Sequence, residues 1–126
     1  MTALRATLNR WRRRAWRLVF FRMLFGERSG GRWLAGTRIS PSTVIEHAEQ
    51  LLLADDVFIG HFNYIEASAG VRIGRGTQVT NFVGIVSHST HRAVRVAAQL
   101  SGAALASGNA AVIRAPIAIG QRCCIG

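Results

Sequence analysis

The chain has 126 residues and a mass of 13.7 kDa, which fits one compact domain with its own core. Its net charge of +10 comes from 16 basic residues, all of them arginine, against six acids. Residues 1–38 hold ten of these arginines and one acid, whereas residues 39–126 hold six arginines and five acids. This uneven distribution argues against a domain that binds nucleic acid as a whole.

Membrane-spanning and secreted proteins are also disfavoured. The longest apolar run near the N-terminus, residues 18–21, is followed by Arg22 and is far shorter than the ~20 residues that cross a bilayer. No convincing signal-peptide cleavage site follows it. The two cysteines, Cys123 and Cys124, are adjacent, so a bridge between them would be strained and would close no loop. We therefore expect reduced cysteines and a cytoplasmic protein.

Residues 4–25 contain neither proline nor glycine and predict a helix. We interpret residues 1–38 as this basic amphipathic helix and a linker, with the linker starting at Gly26. Two uses of the helix are favoured: contact with an anionic membrane surface at the inner face of the membrane, or packing against its own domain or a neighbouring subunit. Contact with nucleic acid is the least favoured use. Arginines fill much of its surface, and its apolar residues recur at steps that place them on one stripe: Leu4, Leu8, Trp11, Ala15, Leu18 and Phe25.

From residue 39 onward, an aliphatic residue recurs every six positions. This period fits neither a helix (~3.6 residues per turn) nor a flat strand (period ~2). It is typical of coils made of three short strands, in which each aliphatic side chain points inward and stacks on its equivalent in the next coil. We interpret two-residue excesses within 45–53 and 65–73 as bulges at corners. A β-sandwich of short strands is the alternative. The repeat positions are Ile39, Ile45, Leu53, Ile59, Ile65, Ile73, Val79, Ile85, Ile113, Ile119 and Ile125.

The repeat is interrupted after residues 84–91, GIVSHSTH, where two histidines stand three positions apart. We predict a protruding loop over residues 87–112. Long loops inside compact domains are usually functional or disordered. The break in the repeat is therefore the place where we look for a functional site.

The hexads, the SHSTH segment, the loop and the PIAIG motif at 116–120 together resemble the hexapeptide-repeat acyltransferases. The likeness is greatest to the branch of maltose, galactoside and bacterial surface-polysaccharide O-acetyltransferases, and it covers residues 39–126. It implies a left-handed parallel β-helix, usually a homotrimer, that moves an acetyl group from acetyl-CoA to a hydroxyl of a sugar or glycan precursor. Cys124-Ile125-Gly126 stands where the family commonly has Trp-Ile-Gly, and the family continues for several more coils. We therefore expect a C-terminally truncated member with an incomplete β-helix.

The resemblance also assigns residues. His88 matches the position of the family's catalytic base, and an imidazole can accept the proton of a sugar hydroxyl at neutral pH. His91 is the alternative base or a substrate contact. Asn63 and Asn81 are predicted to bind sugar hydroxyls, although an asparagine at a corner also satisfies backbone groups. We assign no residue to the binding of acetyl-CoA and expect no metal.

Two further functions remain open. One is a non-catalytic β-helix, either a scaffold or a truncated pseudo-enzyme. The other is a trimeric β-helix zinc enzyme, in which three histidines are shared across a subunit interface. His88 and His91 stand closer together than we expect for such a site, and His47 and His61 fall in other coils.

Overall fold

The computed structural model describes residues 2–90 and 112–126. In this part of the chain, short strands in mostly parallel sheets follow one N-terminal helix. The elements are α1 (Thr2–Phe20), β1 (Glu27–Ser29), β2 (Arg32–Leu34), β3 (Arg38–Ile39), β4 (Val44–Glu46), a 3₁₀ turn (Ala48–Gln50), β5 (Leu51–Leu53), β6 (Phe58–Ile59), β7 (Tyr64–Glu66), β8 (Val71–Ile73), β9 (Gln78–Val79), β10 (Gly84–Val86), β11 (His88–Ser89), β12 (Ile113–Arg114), β13 (Ile117–Ile119) and β14 (Cys124–Ile125).

The described residues form three parallel sheets. One contains β3, β6, β9 and β14, the second β4, β7 and β10, and the third β5, β8 and β13. Consecutive strands enter consecutive sheets, so β3, β4 and β5 make one coil and β6, β7 and β8 make the next. Arg38 pairs with Phe58 and Phe58 with Gln78, so one coil takes 20 residues. This arrangement is compatible with a parallel β-helix-like fold.

The predicted inward stacking of the aliphatic repeat is confirmed. Most of the predicted residues line the interior, and equivalent ones lie in register from coil to coil. Full burial of such a side chain contributes roughly 1.5–3 kcal/mol, so these columns supply much of the stability of the coil. The two-residue excesses lie where predicted, at the corners after β4 and β7. The columns are Ile39–Ile59–Val79–Ile125, Ile45–Ile65–Ile85 and Leu53–Ile73–Ile119.

Ile113 does not belong to these columns, so its predicted place in the repeat is wrong. It lies in β12, which pairs antiparallel with β11, and its partner there is Ser89. Its residue surface is 38% exposed. The antiparallel pairing takes the chain out of the coil at this point. The repeat resumes only at β13, where Ile119 pairs with Ile73.

Residues 27–34, which we interpreted as linker, form an antiparallel hairpin of β1 and β2. The hydroxyl of Ser29 donates to the carbonyl of Leu51 at 2.8 Å and accepts the N–H of Leu53 at 2.8 Å. Leu34, at the end of the hairpin, is buried and joins the core. The hairpin therefore closes the first coil by using backbone groups at its open edge.

Helix α1 ends at Phe20, earlier than the predicted end at residue 25, and its residues 3–20 are exposed. Directly after it, the ring of Phe21 lies 5.6 Å from the ring of His61 and 5.5 Å from that of Phe62. These contacts join the base of the helix to a corner of the second coil. No helix in the described part of the chain has both the length and the apolarity needed to cross a membrane.

Candidate functional site

The chain leaves the coil directly after β10. The N–H of Ser87 donates to the carbonyl of Glu66 at 3.1 Å, which extends the pairing with the coil below by one residue. The carbonyl of Ser87 accepts the N–H of Ala115 on the returning chain at 3.0 Å. Between these two contacts, His88 pairs with Arg114 in the antiparallel ribbon. The backbone of His88 is therefore held from both sides at the break in the repeat.

A buried carboxylate lies beneath this break. Glu66, the last residue of β7, is only 1% exposed. Its Oε1 accepts the N–H of Ser68 at 2.8 Å, and its Oε2 accepts the hydroxyl and the N–H of Ser87 at 3.0 and 3.2 Å. The Ser87 hydroxyl itself accepts the N–H of Ala69 at 3.0 Å. These donors replace the water that a buried carboxylate loses.

The surroundings of Glu66 keep it ionised. Burial by itself raises the pKa of the Glu66 carboxyl, but the hydrogen bonds from Ser68 and Ser87 and the close approach of His88 outweigh it and lower the pKa below its usual range. Glu66 therefore carries a negative charge at neutral pH. This charge is fixed in position because both carboxylate oxygens have partners on the coil.

His88 lies against this charge. Its Nδ1 is 2.7 Å from Oε2 of Glu66. The Nδ1–H bond is not aligned with Oε2, so the contact is an ion-pair contact by distance rather than a straight hydrogen bond. Nδ1 is buried, yet the whole side chain of His88 is 34% exposed. The carboxylate favours the tautomer protonated at Nδ1, which leaves Nε2 as the proton acceptor.

The equivalent position one coil earlier is different. Glu46 aligns with Glu66 in the sheet register, but it is exposed. Its Oε2 accepts the hydroxyl of Tyr64 at 2.8 Å. The hydrogen bond to Glu46 raises the pKa of Tyr64. Of the two described carboxylates at this strand position, only Glu66, beneath the break, is buried and lies against a histidine.

Asn63, which we predicted to bind a sugar hydroxyl, lies away from the break and contacts backbone groups of the next coil. Its side chain is buried in the corner before β7, with 2% of the residue exposed. Its Nδ2 donates to the carbonyl of Thr80 at 2.6 Å, and its Oδ1 accepts the N–H of Val83 at 2.8 Å. Both ends of the amide are used by the backbone of the next coil. These contacts match the alternative interpretation, in which an asparagine at a corner satisfies backbone groups.

Asn81 is also separated from His88. It lies in the corner before β10, whereas His88 follows β10, and a strand of three residues is about 10 Å long. Its Oδ1 accepts the N–H of His61 at 2.7 Å. The structure therefore does not bring Asn81 together with His88. His91, the other predicted residue, lies outside the described residues.

Glu66 is the residue that the sequence analysis missed. Its register partner is Val86, two positions before His88. The spacing of 20 residues per coil carries this information, because position 66 then lies beneath position 86. The six-residue period alone does not reveal this pairing, because each coil contains two residues more than three hexads.

The pair of Glu66 and His88 can act as an oriented base. An ionised carboxylate beside one ring nitrogen holds the tautomer of the imidazole and stabilises the imidazolium that forms when the other nitrogen takes a proton. Comparison with known proteins found no significant match to a family model, a curated protein or a solved structure. The function of the chain is therefore inferred from its own residues and contacts.

Three of the histidines considered for a zinc site, His47, His61 and His88, lie at separate places in the described chain. Within 2–90 and 112–126, no three histidine, cysteine or acidic side chains are grouped closely enough to hold a metal ion. His47 lies 3.5 Å from Glu49, and Nδ1 of His61 lies 2.6 Å from the hydroxyl of Ser40. Each of these histidines contacts a neighbour at its own corner of the coil.

Proposed function

We propose that this protein is an O-acetyltransferase with a left-handed parallel β-helix. It would move an acetyl group from acetyl-CoA to a hydroxyl of a sugar or glycan precursor in the cytoplasm, with His88 as general base. The observation that carries this proposal is the 2.7 Å contact between Nδ1 of His88 and the buried carboxylate of Glu66. The family resemblance of the hexads and the PIAIG motif supports the substrate class.

In the proposed reaction, Nε2 of His88 takes the proton of the acceptor hydroxyl as that oxygen attacks the thioester carbonyl. The new C–O bond forms, the C–S bond breaks, and the imidazolium returns its proton to the departing CoA sulfur. The acceptor itself is the nucleophile, so the enzyme needs no covalent intermediate. Glu66 holds the ring and stabilises its charged form during the step.

The proposed active form is a homotrimer. Apolar side chains on the outer faces of the sheets support an interface between copies, because exposed apolar patches often mark such contacts. Val44 and Val86 lie on the face of the second sheet, and Leu52 lies on the face of the third. All three are more than a third exposed.

Acetyl transfer by the full chain tests the proposal. The chain is incubated with acetyl-CoA and, in turn, maltose, a galactoside and a surface-polysaccharide oligosaccharide. CoA thiol release and the mass of the acceptor are measured. We expect His88→Ala to lower kcat/KM by about 100-fold or more, the usual scale for a general base.

The matched control is His47→Asn, which removes an exposed histidine at a different corner and suits the positive φ of that position. We expect it to leave kcat/KM unchanged. The proposal is rejected if the parent chain transfers no acetyl group to any of these acceptors, or if His88→Ala keeps the parent rate.

A further inference from the structure

Helix α1 has an apolar stripe that no described residue covers. At ~100° per residue, five apolar side chains of the helix fall within a sector about 100° wide. The four large ones are between 59% and 77% exposed. Among the described residues, the ring of Phe21 joins the C-terminal base of the helix to the coil, and the large side chains of the stripe stay exposed. The stripe consists of Leu4, Leu8, Trp11, Ala15 and Leu18.

The rest of the helix surface is strongly basic. Thr2–Phe20 contains six arginines and no acid. On a helical projection, Arg12 borders the stripe on one side and Arg14 on the other. The remaining arginines lie next to these or on the opposite face. This is the arrangement of a helix that lies in a membrane interface, with apolar side chains in the acyl boundary and cations at the phosphates.

The combination of stripe and charge selects one partner. A nucleic acid would neutralise the arginines but would leave the apolar stripe in water. A second copy of the helix would cover the stripe but would bring its own six arginines close to these. An anionic bilayer satisfies both features at once, because the stripe enters the interface and the arginines meet the headgroups.

We propose that α1 docks this protein on an anionic phospholipid bilayer, with the stripe of Leu4, Leu8, Trp11, Ala15 and Leu18 inserted in the interface. The helix lies along the surface and does not cross it. This inference is independent of the acetyl-transfer reaction, since it rests on no residue of the Glu66–His88 pair.

Co-sedimentation of the full chain with vesicles tests the docking. One set of vesicles contains phosphatidylcholine alone, and the other contains phosphatidylcholine with phosphatidylglycerol. We expect binding to the anionic vesicles, with weaker binding at high salt because the arginine contribution is screened. Equal binding to both sets, or no binding to the anionic set, overturns the proposal.

Two tryptophans on the same helix supply a matched pair of variants. Trp11 lies in the stripe and Trp16 lies outside it, with its ring tilted against that of Phe20 and the ring centroids 4.0 Å apart. Both are exposed, at 63% and 57%. Changing either to glutamate alters the charge equally. We expect Trp11→Glu to lower the vesicle partition coefficient about tenfold more than Trp16→Glu, because only Trp11 is buried on docking.

An equal loss from both variants overturns the assigned stripe. Circular dichroism of each variant checks that the helix content is retained. Size-exclusion chromatography without lipid tests whether the stripe binds a second copy of the chain instead. If Trp11→Glu dissociates an oligomer that the parent chain forms, the stripe binds a second copy and the bilayer proposal fails. Duplex DNA binding at an affinity equal to that for anionic vesicles, unaffected by Trp11→Glu, also overturns it.

Discussion

At the regular corners of the coil, the two predicted asparagines bind backbone groups. Asn63 binds a carbonyl and an N–H of the next coil, and Oδ1 of Asn81 accepts the N–H of His61. At the break after β10, the polar groups are arranged differently. Glu66 is buried and ionised, and the ring of His88 lies against it while remaining partly exposed.

This difference separates polar residues that stabilise the fold from polar residues that can take part in a reaction. Asn63 has the structural pattern, because it is buried and both ends of its amide pair with backbone groups. His88 has the reactive pattern, because its Nδ1 lies against the buried charge of Glu66 while its side chain stays partly exposed to a substrate. The following predictions test this contrast between coil and break.

The largest expected effect is on stability, from a substitution in the coil. Ile65→Ala removes a fully buried side chain from the column of Ile45, Ile65 and Ile85, and should lower the free energy of unfolding by about 2–5 kcal/mol. The matched change at the break, Ile113→Ala, should cost less than about 0.5 kcal/mol, because this isoleucine is exposed. Urea denaturation measures both. Equal losses would mean that Ile113 belongs to the core after all.

The second effect is on catalysis. Glu66→Gln keeps the size of the side chain but removes the charge beside Nδ1 of His88, so we expect kcat/KM for acetyl transfer to fall by about 10- to 100-fold, no more than the lower end of the effect of a general base itself. The pH–rate profile should change as well, because a carboxylate no longer stabilises the imidazolium. A purely structural role would leave that profile unchanged.

Glu46→Gln is the control for Glu66→Gln. Glu46 occupies the same strand position one coil earlier, but it is exposed and contacts Tyr64 instead of a histidine. We expect its kcat/KM and pH–rate profile to match those of the parent chain. If both variants lose the same activity, the contrast between the two coils is not a catalytic one.

The third effect separates stability from catalysis at a regular corner. Asn63→Ala leaves the carbonyl of Thr80 and the N–H of Val83 without their partner, so we expect a loss of about 1–3 kcal/mol in unfolding free energy. The kcat/KM of the folded fraction should stay at the parent value. A raised KM for the sugar acceptor in a stably folded variant would instead restore Asn63 as a substrate ligand.

The smallest effect concerns acid stability. The pKa of Glu66 is lower in the folded chain than its usual value, so its contribution to stability is present above the pKa of the unfolded chain and is lost as the pH falls through the folded pKa. We therefore expect the difference in unfolding free energy between the parent chain and Glu66→Gln to shrink below about pH 4. Denaturation series at neutral and acidic pH measure this. A difference that grows in acid contradicts the assignment.

The core of the coil was predictable from the sequence, whereas its edges were less so. A six-residue aliphatic period favours inward columns over a flat strand or a helix, and Ile45, Ile65 and Ile85 form such a column. Residues 27–34 carry no such period, and the hairpin depends on the hydroxyl of Ser29, which bridges two backbone groups of β5. Ile113 fits the period by its number, but antiparallel pairing removes it from the column.

The site was predictable only in part. The break in the repeat pointed to both His88 and His91, and only the family resemblance favoured His88 as the base. Alternation along β7 predicts that Glu66 faces outward, as Tyr64 does. Glu66 is buried because Ser68 and Ser87 cover its carboxylate with donors, a contact between two coils that no local pattern shows. Asn63 illustrates the limit, because an amide suits a sugar hydroxyl and a backbone corner equally well, and its role in binding an acceptor stays a prediction.

The central claim is that His88 and Glu66 act as one catalytic unit. A double-mutant cycle in kcat/KM for acetyl transfer, with His88→Ala, Glu66→Gln and the double variant, tests it most directly. If Glu66 acts through His88, the double variant should be no slower than His88→Ala alone. Losses that multiply, so that Glu66→Gln slows the His88→Ala variant as much as it slows the parent chain, would contradict the account.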